Sequence, residues 1–290
     1  MDFQNIIKSW PSDTLSHVFI IAEIGINHNG DLGVAKRMID LARESGCDAV
    51  KFQKRTITTV YSQKFLDSSR ESPFGNTQRE QKEALEFGET EFDEIDRYCR
   101  ETGIEWFASA WDLDSLEFLK KFDLKYNKIA SAMLTNEPFL EAVAAEKKLT
   151  FISTGMSYYK DIDKAVEIFE KANCCYVLLH CISSYPSPEN HLNLKMIETL
   201  RDRYDCFVGY SGHESSVSPS VIAAVLGAVA IERHITLDRA MYGSDQAASL
   251  EKAGLESLVN QVRKINAVMG DGVKRLAPGE TEASVKLRYW

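Results

Sequence analysis

The chain has 290 residues, a formal net charge of −9, 44% hydrophobic and 27% charged side chains, the composition of an ordinary globular protein near the size of one α/β barrel of about 250 residues. No apolar run approaches the roughly 20 residues that span a bilayer, and the opening MDFQNIIKSWPSD lacks the apolar stretch of a secretory signal, so a membrane protein is excluded and the cytoplasm is the expected compartment. The acidic balance, with no basic helix or stripe to offset it, excludes nucleic acid as a partner but leaves room for a small anionic substrate in a local pocket of lysines.

Residues 1 to 17 precede the first expected strand and are read as a cap on the barrel bottom. Short apolar runs rich in β-branched residues then predict strands at 18 to 24, 49 to 53, 104 to 109, 126 to 131, 150 to 154, 175 to 181, 206 to 211 and 228 to 235. Amphipathic stretches lie between them, such as Val34, Met38, Leu41 and Ala42, or Ile162, Val166 and Phe169, each spaced to put apolar groups on one helical face. Eight such repeats of apolar strand and helix favour closure into a (β/α)8 TIM barrel over an open doubly wound sheet. Residues 54 to 88 form a long polar insertion after the second strand, on a side where long loops are more often functional than idle. The last helix carries Leu255, Leu258, Val259, Val262 and Ile265, and the tail from 272 to 290 reads as its extension, so residues 1 to 290 form one domain. The cysteines Cys47, Cys99, Cys174, Cys175, Cys181 and Cys206 form no C-x-x-C pair and are read as reduced core thiols.

Chemistry in such a barrel sits at the C-terminal strand ends. Those ends deliver Glu23, Lys51 and Gln53, Ser109, Lys128 and Ser131, Ser153 and Thr154, His180 followed by Ser183 and Tyr185, Ser211 and His213, and finally Glu232 and His234. His213 and His234 come from adjacent strand ends, where both imidazoles can reach one ion and leave open positions for Lewis-acid chemistry. An isolated histidine is more often a hydrogen-bonded core residue, a reading that weighs at least equally for His180; His17 and His191 read as surface residues. Lys51 and Lys128 end apolar strands, so each needs an anionic neighbour or an altered protonation state. With Ser109, Ser131, Ser153 and Ser211 they make a cradle for a phosphate plus a carboxylate. Two alternatives stand beside this: pairing with internal carboxylates such as Glu23 or Glu232, and a Schiff-base lysine, against which the histidine pair weighs. Glu23, ahead of the turn-rich Gly25 and Asn27-His28-Asn29-Gly30, is the candidate acid or base.

The segments AEIGINHNG (22 to 30), VKFQ (50 to 53), KIAS (128 to 131), STGM (153 to 156), LLHC with YPSP (178 to 188), GYSGHE (209 to 214) and ERHIT followed by GSDQAASLE (232 to 251) together resemble the N-acetylneuraminate (sialic acid) synthases and their relatives making legionaminic and pseudaminic acids. The resemblance implies a cytoplasmic homodimer that condenses phosphoenolpyruvate with a sugar aldehyde, N-acetylmannosamine or a related hexose, to give a nonulosonic acid and phosphate. It implies that His213 and His234 hold a divalent metal, Mn2+ first with Mg2+ or Co2+ as alternatives. Lys51, Lys128, Ser131, Ser153 and Ser211 would hold phosphoenolpyruvate, Glu23 would move protons, and Gln53, Tyr185 and Asp245 would contact the acceptor. Departures fall on the acceptor half. Ser131-Ala132-Met133 stands where neuraminate-forming members have Ser-Gly-Glu, Ser183 stands for an asparagine, and Ser109-Ala110-Trp111-Asp112 replaces Ser-Thr-Pro-Phe. The family's C-terminal antifreeze-like domain is expected to be lacking. Legionaminic, pseudaminic or deaminated sialic acid are alternative products. Two further classes compete: a metal-dependent hydrolase or lyase on the same histidines, for which no third ligand is evident, and a silent phosphoenolpyruvate-binding protein.

Overall fold

The computed structural model describes residues 17–290, so the expected cap at 1 to 17 lies outside the described residues except for His17. Eight parallel strands close into a barrel: β1 (Phe19–Gly25), β2 (Ala49–Lys54), β5 (Glu105–Ala110), β6 (Tyr126–Ile129), β7 (Leu149–Ser153), β8 (Tyr176–Cys181), β9 (Val208–Gly212) and β10 (Ala230–His234). Around the barrel they run in the order β1, β10, β9, β8, β7, β6, β5, β2. The closed form prevails over the open sheet: β1 pairs with both β10 and β2, so no barrel strand is left as an edge. Expected and observed strands differ by one or two residues. The fourth is shorter than expected because the chain enters a 3-10 turn at Ser131–Met133.

Helices follow the strands and carry recognisable start and stop signals. In Leu32–Ser45, Asp31 caps the N-terminus by accepting from the Val34 N–H, and Gly46 ends the helix with φ 86°. Leu113–Leu119 is capped by Asp112, whose carboxylate also receives the Thr56 N–H at 2.7 Å. One side chain thus starts a helix and pins the beginning of the insertion. The lower barrel is filled by rings, with Phe19 and Phe107 each stacked on Phe151 at 5.9 and 5.8 Å and Tyr126 edge-on to Phe107 at 5.7 Å. Each buried ring contributes about 1.5–3 kcal/mol. With the lower interior plugged, only the upper strand ends are open to chemistry.

The insertion is not structureless. It contains two single-turn helices, Ile57–Val60 and Gln63–Leu66, a hairpin of β3 (Ser69–Ser72) and β4 (Gly75–Thr77), and the helix Gln78–Leu85 with a Thr77/Glu80 capping box. Its far end is latched to the loop after β10, where Gln81 Nε2 donates to Tyr242 Oη at 2.7 Å and Phe74 meets the Tyr242 ring edge-on. Since β1 lies between β2 and β10, the insertion arches over the end of β1. Gly30, with φ 73°, is required there: a Cβ would stand 2.2 Å from the Ala84 carbonyl oxygen.

The tail corrects an expectation. The last barrel helix stops at Met269, and a separate helix, Glu280–Leu287, follows with no buried residue. Gly270 and Gly272, at φ 63° and 71°, interrupt the helical path. No helix among the described residues is long and apolar enough to cross a membrane.

Candidate active site

Alternation along the parallel strands decides which polar side chains meet. Residues 19, 21 and 23 of β1 face inward, as do 149, 151 and 153 of β7 and 177, 179 and 181 of β8, so the apolar plug passes into a polar ring within one step of each strand. The register places Glu23 beside both Lys51 and His234, and Ser109 beside both Gln53 and Lys128. The resulting cavity encloses about 200 Å³.

Eleven of the thirteen candidate residues line it: Glu23, Lys51, Gln53, Ser109, Ser131, Ser153, Ser183, Tyr185, Ser211, His213 and His234. The other two stand just behind the wall. Lys128 Nζ donates to Ser153 Oγ at 2.6 Å and lies 3.8 Å from Glu232 Oε1, and Asp245 Oδ2 lies 3.8 Å from His234 Nδ1.

The floor is charge-balanced. Lys51 Nζ pairs with Glu23 Oε2 at 2.9 Å and Glu232 Oε2 at 3.5 Å, all three side chains being almost fully buried. Gln53 Nε2 donates to Glu23 Oε1 at 2.7 Å, and Ser211 Oγ donates to Glu232 Oε1 at 3.1 Å. Burial raises the Glu23 carboxyl above its ordinary range against the pull of Lys51. Burial acts the same way on Glu232, but there Lys128 and Lys51 outweigh it and bring the group down to about 2. Lys128 is lowered to about 8, chiefly by burial, with Glu232 resisting. Lys51 is held above its usual value, because its two carboxylates overcome the cost of burial. Two carboxylates with opposite shifts in one cavity suit one for proton transfer and leave the other a fixed charge.

The imidazoles line the same cavity, with ring centroids 5.3 Å apart. His213 Nδ1 lies 2.8 Å from the Ile182 carbonyl oxygen. Donation to that oxygen makes Nε2 the lone-pair nitrogen in the neutral ring. His234 is brought down to about 3 by burial, with His213 and Lys51 adding to it, and its buried Nδ1 has no hydrogen-bond partner. Two imidazoles, one with an orphaned nitrogen, form a donor set that fits a divalent cation with open positions. Among the described residues no group of three His, Cys, Asp or Glu converges as a closed cage.

Several side chains depart from their sequence reading. His180 faces away from the cavity and its Nε2 is held by the Leu192 carbonyl at 2.7 Å, so of its two readings the core one describes its place. His17 is half-buried on Asp48 at 2.7 Å and is not a free surface group, while His191 is exposed. His28 is buried, stacked 3.9 Å from Phe87, with Nδ1 accepting from Gly30 N–H. The described cysteines are all free; Cys175 is exposed, so the core reading fails there, while Cys181 is buried as expected and also lines the cavity. Cys181, Trp111 and Met156 line the site without having been chosen from sequence, and Glu232, weighed there as an internal partner for the lysines, lines it while pairing with Lys51. The inward alternation of β8 was the signal for Cys181; Trp111 and Met156 sit on loops.

Gly155 shows how tightly the floor is built. A Cβ there would stand 2.3 Å from Ser183 Oγ and 2.8 Å from Ser131 Oγ, and its N–H donates to Ser131 Oγ at 3.0 Å.

The NeuB family profile matches residues 38–274. The chain is 40% identical over 273 residues to the N-acetylneuraminate-9-phosphate synthase of Homo sapiens, covering 93% of this chain and 76% of that protein. It is 36% identical over 276 residues to the N,N'-diacetyllegionaminic acid synthase of Campylobacter jejuni, covering 92% and 81%. Among solved structures it superposes on the N-acetylneuraminic acid (sialic acid) synthetase of Leptospira borgpetersenii, crystallised with citrate, with a TM-score of 0.81 at 32% identity, covering 96% and 95%.

Proposed function

The chain belongs to the NeuB family, and from that premise we propose that it condenses phosphoenolpyruvate with an amino-sugar aldehyde of the N-acetylmannosamine type, releasing phosphate and forming a nonulosonic acid. One observation carries the reading: buried Lys51 and several serine hydroxyls share a single cavity with two imidazoles, and Lys128 backs its wall through Ser153. Lys51, Lys128, Ser131, Ser153 and Ser211 hold the donor's phosphate and carboxylate. His213 and His234 would hold a divalent cation, manganese first with magnesium or cobalt as alternatives, and this cation supplies Lewis acidity at the aldehyde oxygen.

The chain's own groups do the rest. The cradle sets donor C3 against the aldehyde carbon, where the new C–C bond forms and the carbonyl oxygen takes up a proton. Water then adds to donor C2, and Glu23, oriented by Gln53 and Lys51, moves the proton of that step. The C2–O bond to phosphate breaks and leaves the ketone. Because the unliganded floor is electrically balanced, a protonated Glu23 favours the anionic donor; its raised carboxyl supports this. Gln53 and Tyr185 contact the acceptor, with Ser183 beside them and Asp245 behind His234, and Ser109 completes the donor cradle. The same reading carries a homodimer acting in the cytoplasm, which light scattering would register as twice the chain mass.

The test is phosphate release from phosphoenolpyruvate with N-acetylmannosamine and Mn2+, abolished by chelator and restored by metal. Turnover without phosphoenolpyruvate would return the site to a hydrolase or lyase, and donor binding with no turnover on any sugar aldehyde would return it to a silent binding protein.

A further inference from the structure

The polar ring of the cavity has a counterpart on the outer face of the barrel, where β9 and β10 meet the helix Ser218–Val225. Alternation turns Glu232 and His234 inward and Arg233 outward; on β9 and just past it, Ser211 and His213 face inward while Tyr210 and Glu214 face outward. Neighbouring outward positions are apolar: Ala22, which pairs with Arg233 in register, and Ile20, Ile24 and Ile231. Arg233 and Glu214 instead form an ion pair at 2.9 Å, with side chains 1% and 0% exposed. Arg233 Nη1 also donates to the Ser216 carbonyl and to Ser220 Oγ, both at 2.9 Å, and Nη2 donates to the Glu214 carbonyl. The Glu214 carboxylate accepts from Tyr210 Oη at 2.7 Å and from Ser220 Oγ at 3.2 Å. Gly212 leaves room for it, since a Cβ there would stand 2.7 Å from Glu214 Oε2.

Stability alone does not call for this pair. Burying two charges costs desolvation that their attraction barely repays, the Arg233 Nε is left without a partner, and an apolar pair of similar volume would pack as well. What the pair adds is geometry. The ladder between β9 and β10 ends with Arg233 opposite Gly212, one residue short of His213 and His234, so no backbone pairing between these two strands reaches the imidazoles. The guanidinium continues the connection past that point: it is rooted on β10 next to His234 and grips both the carbonyl and the carboxylate of the residue that follows His213.

We propose that Arg233 and Glu214 are positioning residues that fix the separation and direction of His213 and His234, and with them the affinity of the site for a divalent cation. This rests on the metal reading of those histidines. Ser211 and Glu232 lie within the ladder, and Lys51, Lys128 and Ser153 stand on other strands, so loosening the clamp spares the donor cradle.

The experiment titrates the whole chain, stripped of metal, with Mn2+ alone, read by calorimetry and by the paramagnetic resonance signal of the free ion. Arg233→Lys, which keeps the charge but loses the fork, is expected to weaken Mn2+ binding about tenfold. Tyr210→Phe and Ser220→Ala each remove hydrogen bonds of the clamp and keep the core, and each should weaken it about threefold. Phosphoenolpyruvate affinity in calorimetry is expected to be unchanged in all three. Phe169→Leu, a core change on the helix Tyr159–Lys171 that also lowers the unfolding midpoint, should leave Mn2+ affinity as it was, which separates positioning from stability. Wild-type Mn2+ affinity in the folded clamp variants overturns the proposal, as does an equal loss in Phe169→Leu or an equal loss of phosphoenolpyruvate affinity. Should Arg233→Lys fail to fold, the two milder variants decide. No Mn2+ binding by the unmodified chain defeats the metal reading itself.

Discussion

The floor and the mouth of the cavity are built on different physics. Glu23, Lys51, Lys128, Ser153, Ser211 and Glu232 are strand residues, all nearly inaccessible, wired to one another and summing to no net charge. Gln53, Trp111, Ser183, Tyr185 and Asp245 sit at strand ends or on loops, partly exposed, and the Trp111 indole nitrogen is an unspent donor. A buried charge network tolerates little change, because removing one member strands its partner. Loop groups around open space can be exchanged at small cost in stability. The contrast teaches that the family's common donor chemistry belongs in the floor and acceptor choice at the mouth.

The most severe way to break that division is at the imidazoles between the two regions. His213→Ala and His234→Ala are each expected to cut metal-dependent turnover by about a thousandfold or more, with circular dichroism unchanged and manganese binding lost in titration. Wild-type rates in both would remove the metal from this site. Glu23→Gln keeps a neighbour for Gln53 and Lys51 but cannot exchange a proton. A fall in kcat of about a hundredfold or more is expected, with phosphoenolpyruvate still bound in calorimetry. Gly155→Ala is a steric probe of the floor: its methyl would crowd Ser131 and Ser183. It should cost about 1–3 kcal/mol in denaturant unfolding and raise the KM for phosphoenolpyruvate. If that KM held while only the acceptor's rose, the boundary between the regions would have to move.

The same division marks what the sequence could tell. Barrel strands announce themselves because they are apolar on both faces, so a polar residue at a strand end stands out against its run, as Lys51, Lys128, Ser153 and His234 do. The eightfold repeat and the polar ring follow from that contrast. Inward or outward direction needs the register, and a one-residue shift reverses it; hence His180 was a candidate while Cys181, its inward neighbour, was not. Loop contributions have no period at all. Trp111 enters the cavity because Asp112 caps the next helix and turns the chain there, and Lys82 feels Asp245 on an insertion whose far end is latched to Tyr242. The tail helix Glu280–Leu287 buries nothing and so leaves no apolar stripe to read.

A pH profile tests the floor more gently. Lys128 is lowered to about 8, mainly by burial, so its ammonium is present below that pH and lost as pH rises through it. Glu23, held high by burial, moves in the same direction, since its proton also favours the anionic donor. The kcat/KM for phosphoenolpyruvate is therefore expected to fall above about pH 8, while kcat at saturating donor holds to higher pH because the bound anion supports the ammonium. Lys128→Arg, which stays charged, should lose the decline near 8 whatever its absolute rate; an unchanged profile would assign the titration elsewhere.

The smallest effect belongs to the mouth. Tyr185 is 45% exposed, and its ring lies 4.1 Å from His213 and 5.7 Å from His234. Tyr185→Phe keeps that packing and removes only a hydroxyl that no buried group depends on. The KM for the acceptor should rise by about threefold to tenfold, the value of one neutral hydrogen bond, with the KM for phosphoenolpyruvate and the unfolding midpoint unmoved. A change in donor KM instead would mean that the phenol reaches across the cavity to the phosphate, and the mouth would then share in the chemistry that the buried lysines otherwise carry alone.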